Sequence, residues 1–184
     1  MTDTVKDILQ FLKSPACGFK ENISINKKLV LVFNSLIISV IICISLASLL
    51  SVLEYFKLID MSKHATADLF EKYPKIIILL LVSIIAPVFE ELIFRAPITL
   101  FCNYKKHFKL IFYGFAILFG YVHITNFECA TNVILLSPIL VLPQIMLGLI
   151  LGFLRVKIGL IYAILLHALY NGMLTLPVLL FGEL

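Results

Sequence analysis

The amino-acid sequence predicts an all-α, polytopic membrane protein of about five transmembrane helices around a polar intramembrane cavity. Three observations carry that prediction. Hydrophobic residues make up 61% of the chain and charged residues 14%, with a mean hydropathy of +1.08. A soluble domain of 184 residues must cover its core with a charged surface, which this composition does not supply. The apolar residues also gather into five runs near the roughly 20 residues that cross a hydrocarbon core. In lipid every backbone polar group must be paired within its own segment, so such runs are helices.

Residues 1–28 are expected to form a cytoplasmic N-terminal region. Within it Val5, Ile8, Leu9 and Leu12 recur at helical spacing, with Lys6 and Lys13 among them and Pro15 ending the run. That pattern predicts a short amphipathic helix lying on the membrane surface. Residues 29–53 are the first transmembrane helix, too long and too far from the N-terminus for a cleaved signal peptide. Residues 54–75 form an extracytoplasmic loop, in which Glu54–Pro74 has room for a second surface helix. Residues 76–184 hold the other spans, at 76–101, 110–127, 133–154 and 158–181. Pro87 and Pro97 are expected to kink the second span. Gly148 and Gly152 form a G-x-x-x-G, read as close helix packing.

The net charge is +4, and the basic residues are spread over short loops. A nucleic-acid surface would gather them on one face, so nucleic acid is excluded as a partner. The loop charges report topology instead. Lys6, Lys13, Lys20, Lys27 and Lys28 precede the first span; Lys105, Lys106 and Lys109 follow the second; Arg155 and Lys157 follow the fourth. These ten face four on the other side, Lys57, Lys63, Lys72 and Lys75, interspersed with Glu54, Asp60, Asp68 and Glu71. The expectation is a cytoplasmic N-terminus, an outside C-terminus and a multi-pass protein of the cell membrane, with the bilayer as its first partner. Cys17, Cys43, Cys102 and Cys129 contain no C-x-x-C pair and sit in different segments, so neither a disulfide framework nor a cysteine zinc site is expected.

Ionisable side chains within a span almost always face the protein interior and mark function. The second span carries Glu90, Glu91 and Arg95; the third carries His123; the fifth carries His167 and Asn171. Glu91 and Arg95 are four apart and can pair on one helix face. Phe119 precedes His123 by one turn, and His167 and Asn171 share a face. Glu90 is turned by about 100° from Glu91 and looks into a different groove. Counted from the cytoplasmic helix ends, Glu90, His123, His167 and Asn171 lie about 14–20 Å deep, at one level. A carboxylate beside imidazoles can deprotonate a water or help hold a metal, and an amide can donate to a developing oxyanion. No G-x-S-x-G or H-E-x-x-H is present, so serine chemistry is not indicated.

The ordered set Glu90-Glu91-x-x-x-Arg95, Phe119-x-x-x-His123 and His167-x-x-x-Asn171 resembles the CAAX-protease and bacteriocin-processing family. That family is also called the Abi family and includes the type II CAAX prenyl endopeptidases. The resemblance covers roughly residues 76–175 and makes 76–184 a CAAX-protease-like catalytic domain. It implies an intramembrane endopeptidase with Glu90 as the base that activates water and His123 positioning it. His167 and Asn171 would stabilise the oxyanion, and Glu91, Arg95 and Phe119 would support the site. A Zn(2+) ion held by Glu90, His123 and His167 is chemically reasonable; the family has been described both as metalloprotease and as metal-independent glutamate chemistry. With about five spans the chain is shorter than the eukaryotic-type members, which suits a bacteriocin-type or other membrane-associated peptide or membrane-protein substrate better than a prenylated one. The competing reading is a non-catalytic bacteriocin self-immunity or scaffold protein of the same family. A third, a proton-coupled transporter, fits poorly with five spans lacking inverted-repeat symmetry.

Overall fold

The computed structural model describes residues 1–18, 23–60, 72–128 and 130–181. Helix α1 is Thr2–Lys13 and α2 is Ile25–Tyr55. The second span is built in four pieces: α3 (Lys75–Leu80), a π-helical turn (Leu81–Ile85), α4 (Ala86–Phe94) and a 3-10 segment (Ala96–Phe101). Then come α5 (Phe108–Val122), which ends in a 3-10 turn (His123–Asn126), α6 (Thr131–Leu140), α7 (Leu142–Lys157) and α8 (Leu160–Phe181). Among the described residues, five helical stretches are long and apolar enough to cross a membrane: Ile25–Tyr55, Lys75–Phe101, Phe108–Asn126, Thr131–Lys157 and Leu160–Phe181. They match the five runs expected from sequence to within a few residues; the third ends at 126 rather than 127, and the last starts at 160 rather than 158. The protein is an all-helical, multi-pass membrane protein. The surface helix expected within Glu54–Pro74 falls on a stretch whose residues 61–71 lie outside the described residues.

Proline chemistry explains the breaks in the second span. Pro87 has no N–H to offer the carbonyl one turn earlier. Upstream of it the Ala86 N–H reaches back to the Leu81 oxygen, the five-residue step of a π turn. Ten residues later Pro97 marks the switch to 3-10 geometry after Arg95. The carbonyls released there are taken by Arg155 from the last turn of α7: Nε donates to the Arg95 oxygen at 3.1 Å, and Nη2 donates to the Ala96 oxygen at 3.2 Å and the Thr99 hydroxyl at 2.6 Å. Arg155, read from sequence as a loop charge, is a brace on the segment that carries the acidic pair.

Helix α7 is the centre of the bundle. Its Leu147, Gly148, Ile150, Leu151, Gly152 and Leu154 are all buried, and it packs on α2, α5 and α8. A Cβ at Gly152 would sit 2.7 Å from Phe112 Cε2, and one at Gly148 would press on Phe119 and Arg95 at 3.2 and 3.3 Å. The G-x-x-x-G therefore lets α5 and the Arg95 side chain approach α7. Gly159, at a φ of +114°, turns the chain from α7 into α8 within two residues, a left-handed conformation that favours glycine.

Two expectations are corrected at the basic end. Helix α1 forms, but its inner face is Thr4, Ile8 and Phe11 rather than the predicted stripe; Val5 and Leu9 point outward. Phe11 enters an aromatic socket, with ring centroids 5.2 Å from Phe112 and 5.4 Å from Phe153. The Tyr113 hydroxyl donates to the Leu12 oxygen, and Lys109 Nζ to the Lys13 oxygen at 3.2 Å, satisfying carbonyls that a helix C-terminus leaves open. Asn34 Nδ2 on α2 donates to Thr4 Oγ1 at 3.0 Å. What docking adds over lying on lipid is close packing of Phe11 and Ile8 against protein side chains. The second correction is a disulfide between Cys17 and Cys102. Docking of α1 carries the chain after Pro15 over the end of the second span, bringing together two thiols 85 residues apart in sequence; no local spacing could announce it.

Candidate active site

The site is assembled from α4, α5 and α8. On α4 the two carboxylates diverge as the helical turn requires. Glu91 is fully buried between two partners: its Oε1 lies 2.9 Å from His167 Nδ1, and its Oε2 lies 3.5 Å from Arg95 Nε. Arg95 is 1% exposed and its guanidinium carbon stacks 3.8 Å from the centre of the Phe119 ring. Such a cation–π contact compensates for the two terminal nitrogens, which have no hydrogen-bond partner. Phe119 is wholly buried and is the hub of the site. The His123 ring sits 4.8 Å from it and the His167 ring 5.7 Å, both edge-on.

Glu90 faces the other way. It is 28% exposed, and its Oε2 lies 3.6 Å from His167 Nε2, so His167 stands between two carboxylates. Because Glu91 accepts at Nδ1, that nitrogen carries a proton and Nε2 is the atom turned to the cavity. His123 lies at the C-terminal end of α5, where the 3-10 turn begins, rather than inside a continuous helix. Its Nδ1 is 2.8 Å from the Phe119 oxygen; a carbonyl only accepts, so Nδ1 is the donor and Nε2 is left open. Asn171 Nδ2 donates to the Val82 oxygen at 2.9 Å. That oxygen is the one the π turn releases, since Ala86 bonds Leu81 instead. One amide hydrogen of Asn171 is therefore committed to structure and the other is spare.

Glu90, His123, His167 and Asn171 line one cavity of about 420 Å³, together with Phe119 and Gln144. A smaller hollow of about 150 Å³ flanks Glu90 and His123 between α4 and α5. All of the residues singled out in the sequence thus come together, Glu91 and Arg95 behind the cavity wall and the others at it. Sequence reasoning did not tie Gln144, Tyr170 or Cys43 to this cavity. Gln144 on α7 places an Oε1 out of solvent and without a partner. Tyr170 and Cys43 also line the cavity. Gln144 was visible as the most polar side chain of its span, but nothing in its spacing tied it to the others. Among the described residues no three His, Cys, Asp or Glu side chains converge tightly enough to hold an ion. Glu90 and His167 form a facing pair, and the Glu91 contact on Nδ1 fixes the His167 ring, as a carboxylate behind a metal-bound imidazole does. The donor set fits a metal at these two residues but not, as placed, at His123.

Compared with known families, residues 72–173 match the model described as type II CAAX prenyl endopeptidase Rce1-like. No curated protein and no solved structure matches the chain. The match spans more than half of the sequence, and the chain belongs to this family. The family is one of proteases, which places the chain among hydrolases that act on peptides.

Proposed function

We propose that this family member is an intramembrane endopeptidase in which Glu90 activates water against a peptide carbonyl. The observation that carries the reading is the facing pair of Glu90 Oε2 and His167 Nε2 at 3.6 Å, in a cavity, with Glu91 anchoring the far side of His167. A water held there and by His123 Nε2 would pass a proton to Glu90 while its oxygen adds to the carbonyl carbon. The oxyanion would receive hydrogen bonds from His167, with a proton on Nε2, and from the spare hydrogen of Asn171. Collapse breaks the C–N bond, and Glu90 returns its proton to the leaving amine. Glu91, Arg95 and Phe119 never touch the substrate in this scheme; they fix the rotamer and tautomer of His167.

A Zn(2+) ion remains part of the proposal in restricted form. Glu90 and His167 would hold it, with His123 joining only after a shift. When bound it would polarise water or carbonyl. The substrate class follows the cavity and the membrane: a bacteriocin-type or other membrane-associated peptide, with the protein in the cell membrane. The test is to express wild type, Glu90→Gln, His123→Ala and His167→Ala in the native host and profile membrane peptides by mass spectrometry, assaying metal in the same samples. Loss of the same products in all three variants, at normal protein levels, supports the reading. An unchanged peptide profile with a surviving bacteriocin-resistance phenotype would replace it with a binding or immunity role.

A further inference from the structure

We propose that Gln144 is a substrate-binding residue: its side-chain oxygen accepts a main-chain N–H of the bound peptide that flanks the bond to be cut. A secondary amide at that position becomes a condition of cleavage, and proline there is excluded. The proposal rests on the protease reading above and adds to it a residue and a rule of selection.

The helices set Gln144 opposite Glu90. Helix α4 packs on α5 and α8, and so does α7. Helices α4 and α7 therefore form facing walls of the cavity, with α5 and α8 closing its flanks. As parts of the second and fourth of five spans, they run in the same direction. They approach each other at the closed end, where a Cβ at Gly148 would stand 3.3 Å from Arg95 Nη2. Counted back from that contact, Gln144 and Glu90 lie about 6 and 7.5 Å along their helices at 1.5 Å per residue. The two side chains stand at one level, and both line the cavity of about 420 Å³.

Gln144 occupies the first turn of α7, directly after Pro143. A side chain at Gly120 would collide with Ile145, so α5 admits this turn one residue after Phe119. Phe119 in turn carries the His123 and His167 rings against it.

The hydrogen bonding of Gln144 is unfinished. Its Oε1 is out of solvent and has no partner, and Pro143 and Leu147, its neighbours on the α7 wall, have no hydrogen-bonding side chain. An unpaired acceptor of this kind is costly. The last torsion of a glutamine is soft, so the oxygen can turn to a donor that enters the cavity.

A peptide supplies that donor. In the proposed reaction its carbonyl at the cut turns to His167 and Asn171 on α8, and the flanking N–H groups need acceptors of their own. A compact cavity of 420 Å³ is roughly 9 Å across, the length of about three extended residues. The N–H that reaches Gln144 therefore belongs to a residue close to the cut. Every residue except proline brings one.

An amide scan is the test. Full-length wild type and Gln144→Met, both in lipid nanodiscs, cut a synthetic peptide spanning the cleavage site of the most abundant Glu90-dependent product. The same peptide is made with each flanking main-chain nitrogen near the cut methylated in turn, leaving the scissile nitrogen unmodified. For wild type, one methyl is expected to raise KM roughly tenfold, the scale of one hydrogen bond, with little change in kcat. Gln144→Met is expected to show the higher KM with the parent peptide already, and little further rise from that methyl. Methyl penalties that are equal in the two proteins, or a parent KM unchanged by Gln144→Met, overturn the proposal. Gln144→Leu repeats the comparison; loss of folded protein in both variants also overturns it, since the amide is then structural. If wild type yields no Glu90-dependent product in its host, the protease reading falls and this assignment falls with it. Glu90-dependent products whose methyl penalties ignore Gln144 remove the assignment alone.

Discussion

Glu90 and Glu91 are consecutive, yet the regions they occupy are built on opposite rules. Around Glu91 the space is closed: Arg95, Phe119, His167 and Gly148 surround it, and the carboxylate has a cationic or imidazole partner on each oxygen. Around Glu90 the space opens into the cavity, so that Glu90 Oε2 and Gln144 Oε1, without a hydrogen-bond partner, can meet an entering group. His123 Nε2 and one hydrogen of Asn171 are spare there as well. Glu91 Oε2 and the terminal Arg95 nitrogens also lack a hydrogen-bond partner, but they are sealed off by packing. A closed charged cluster maintains geometry, whereas an open one can exchange protons with something that enters. The molecule places both on one turn of a single helix, facing different ways, so the rigid cluster aims the reactive one.

The sharpest test of that division is Glu90→Gln. It should reduce product formation by roughly a thousandfold or more, the scale of general acid–base catalysis, while the melting curve in detergent stays where it was. Equal stability and equal loss of activity in Glu91→Gln would erase the distinction. Next in size, Glu91→Ala leaves a buried guanidinium and an imidazole N–H without their acceptor. Such uncompensated charge costs about 3–5 kcal/mol, seen as a collapse in folded yield. The double change Glu91→Leu with Arg95→Met should recover most of that yield but not activity, because His167 loses its anchor.

Packing behind the closed region gives a smaller effect. Gly152→Ala forces Phe112 to move from a contact of 2.7 Å and should cost about 1–3 kcal/mol. Gly114→Ala, with nothing within 4 Å of the new atom, should be neutral or slightly stabilising; a matched loss at both would sever packing from the site. In the open region, Gln144→Met removes an unsatisfied buried acceptor. It should leave or slightly raise thermal stability and increase KM by roughly tenfold, the scale of one hydrogen bond, with little change in kcat. A clear drop in melting temperature would mean that the amide is structural.

The smallest effect belongs to the disulfide. Helix α1 is also held by Phe11, Tyr113 and Lys109, so reductant should move the melting temperature by no more than a few degrees. A gel-shift assay of Cys17 and Cys102 in intact cells adds an independent check. The bond lies at the basic end, which the charge rule places in the cytoplasm, where thiol reductants can open it.

Much of this was legible in the sequence because lipid makes hydrophobic runs and their polar exceptions unambiguous. The spans, the Glu91–Arg95 pairing and the convergence of Glu90, His123, His167 and Asn171 follow from helical spacing and depth alone. What escaped depends on contacts between distant segments. Phe11 looked like one more apolar residue of α1 until Phe112 and Phe153 gave it a socket. Arg155 looked like topology because its acceptors belong to a helix end 60 residues earlier. Gln144 gained meaning only from the walls opposite it. The π turn escaped too, since Pro87 announces a break but not the direction in which the backbone resolves it.

That turn at Leu81–Ile85 acts as a phase shifter. A π turn holds one residue more than an α turn of the same span, so everything after it is rotated by about 100° relative to an uninterrupted helix. Resolving the turn into a regular α ladder with every residue of 81–85 kept would rotate α4 as a unit. Glu90 would swing into the buried place that Glu91 holds, Glu91 toward the exposed place of Leu92, and Arg95 away from Phe119, while Asn171 would lose the carbonyl it holds. One inserted residue therefore sets which of two chemically identical carboxylates is reagent and which is scaffold.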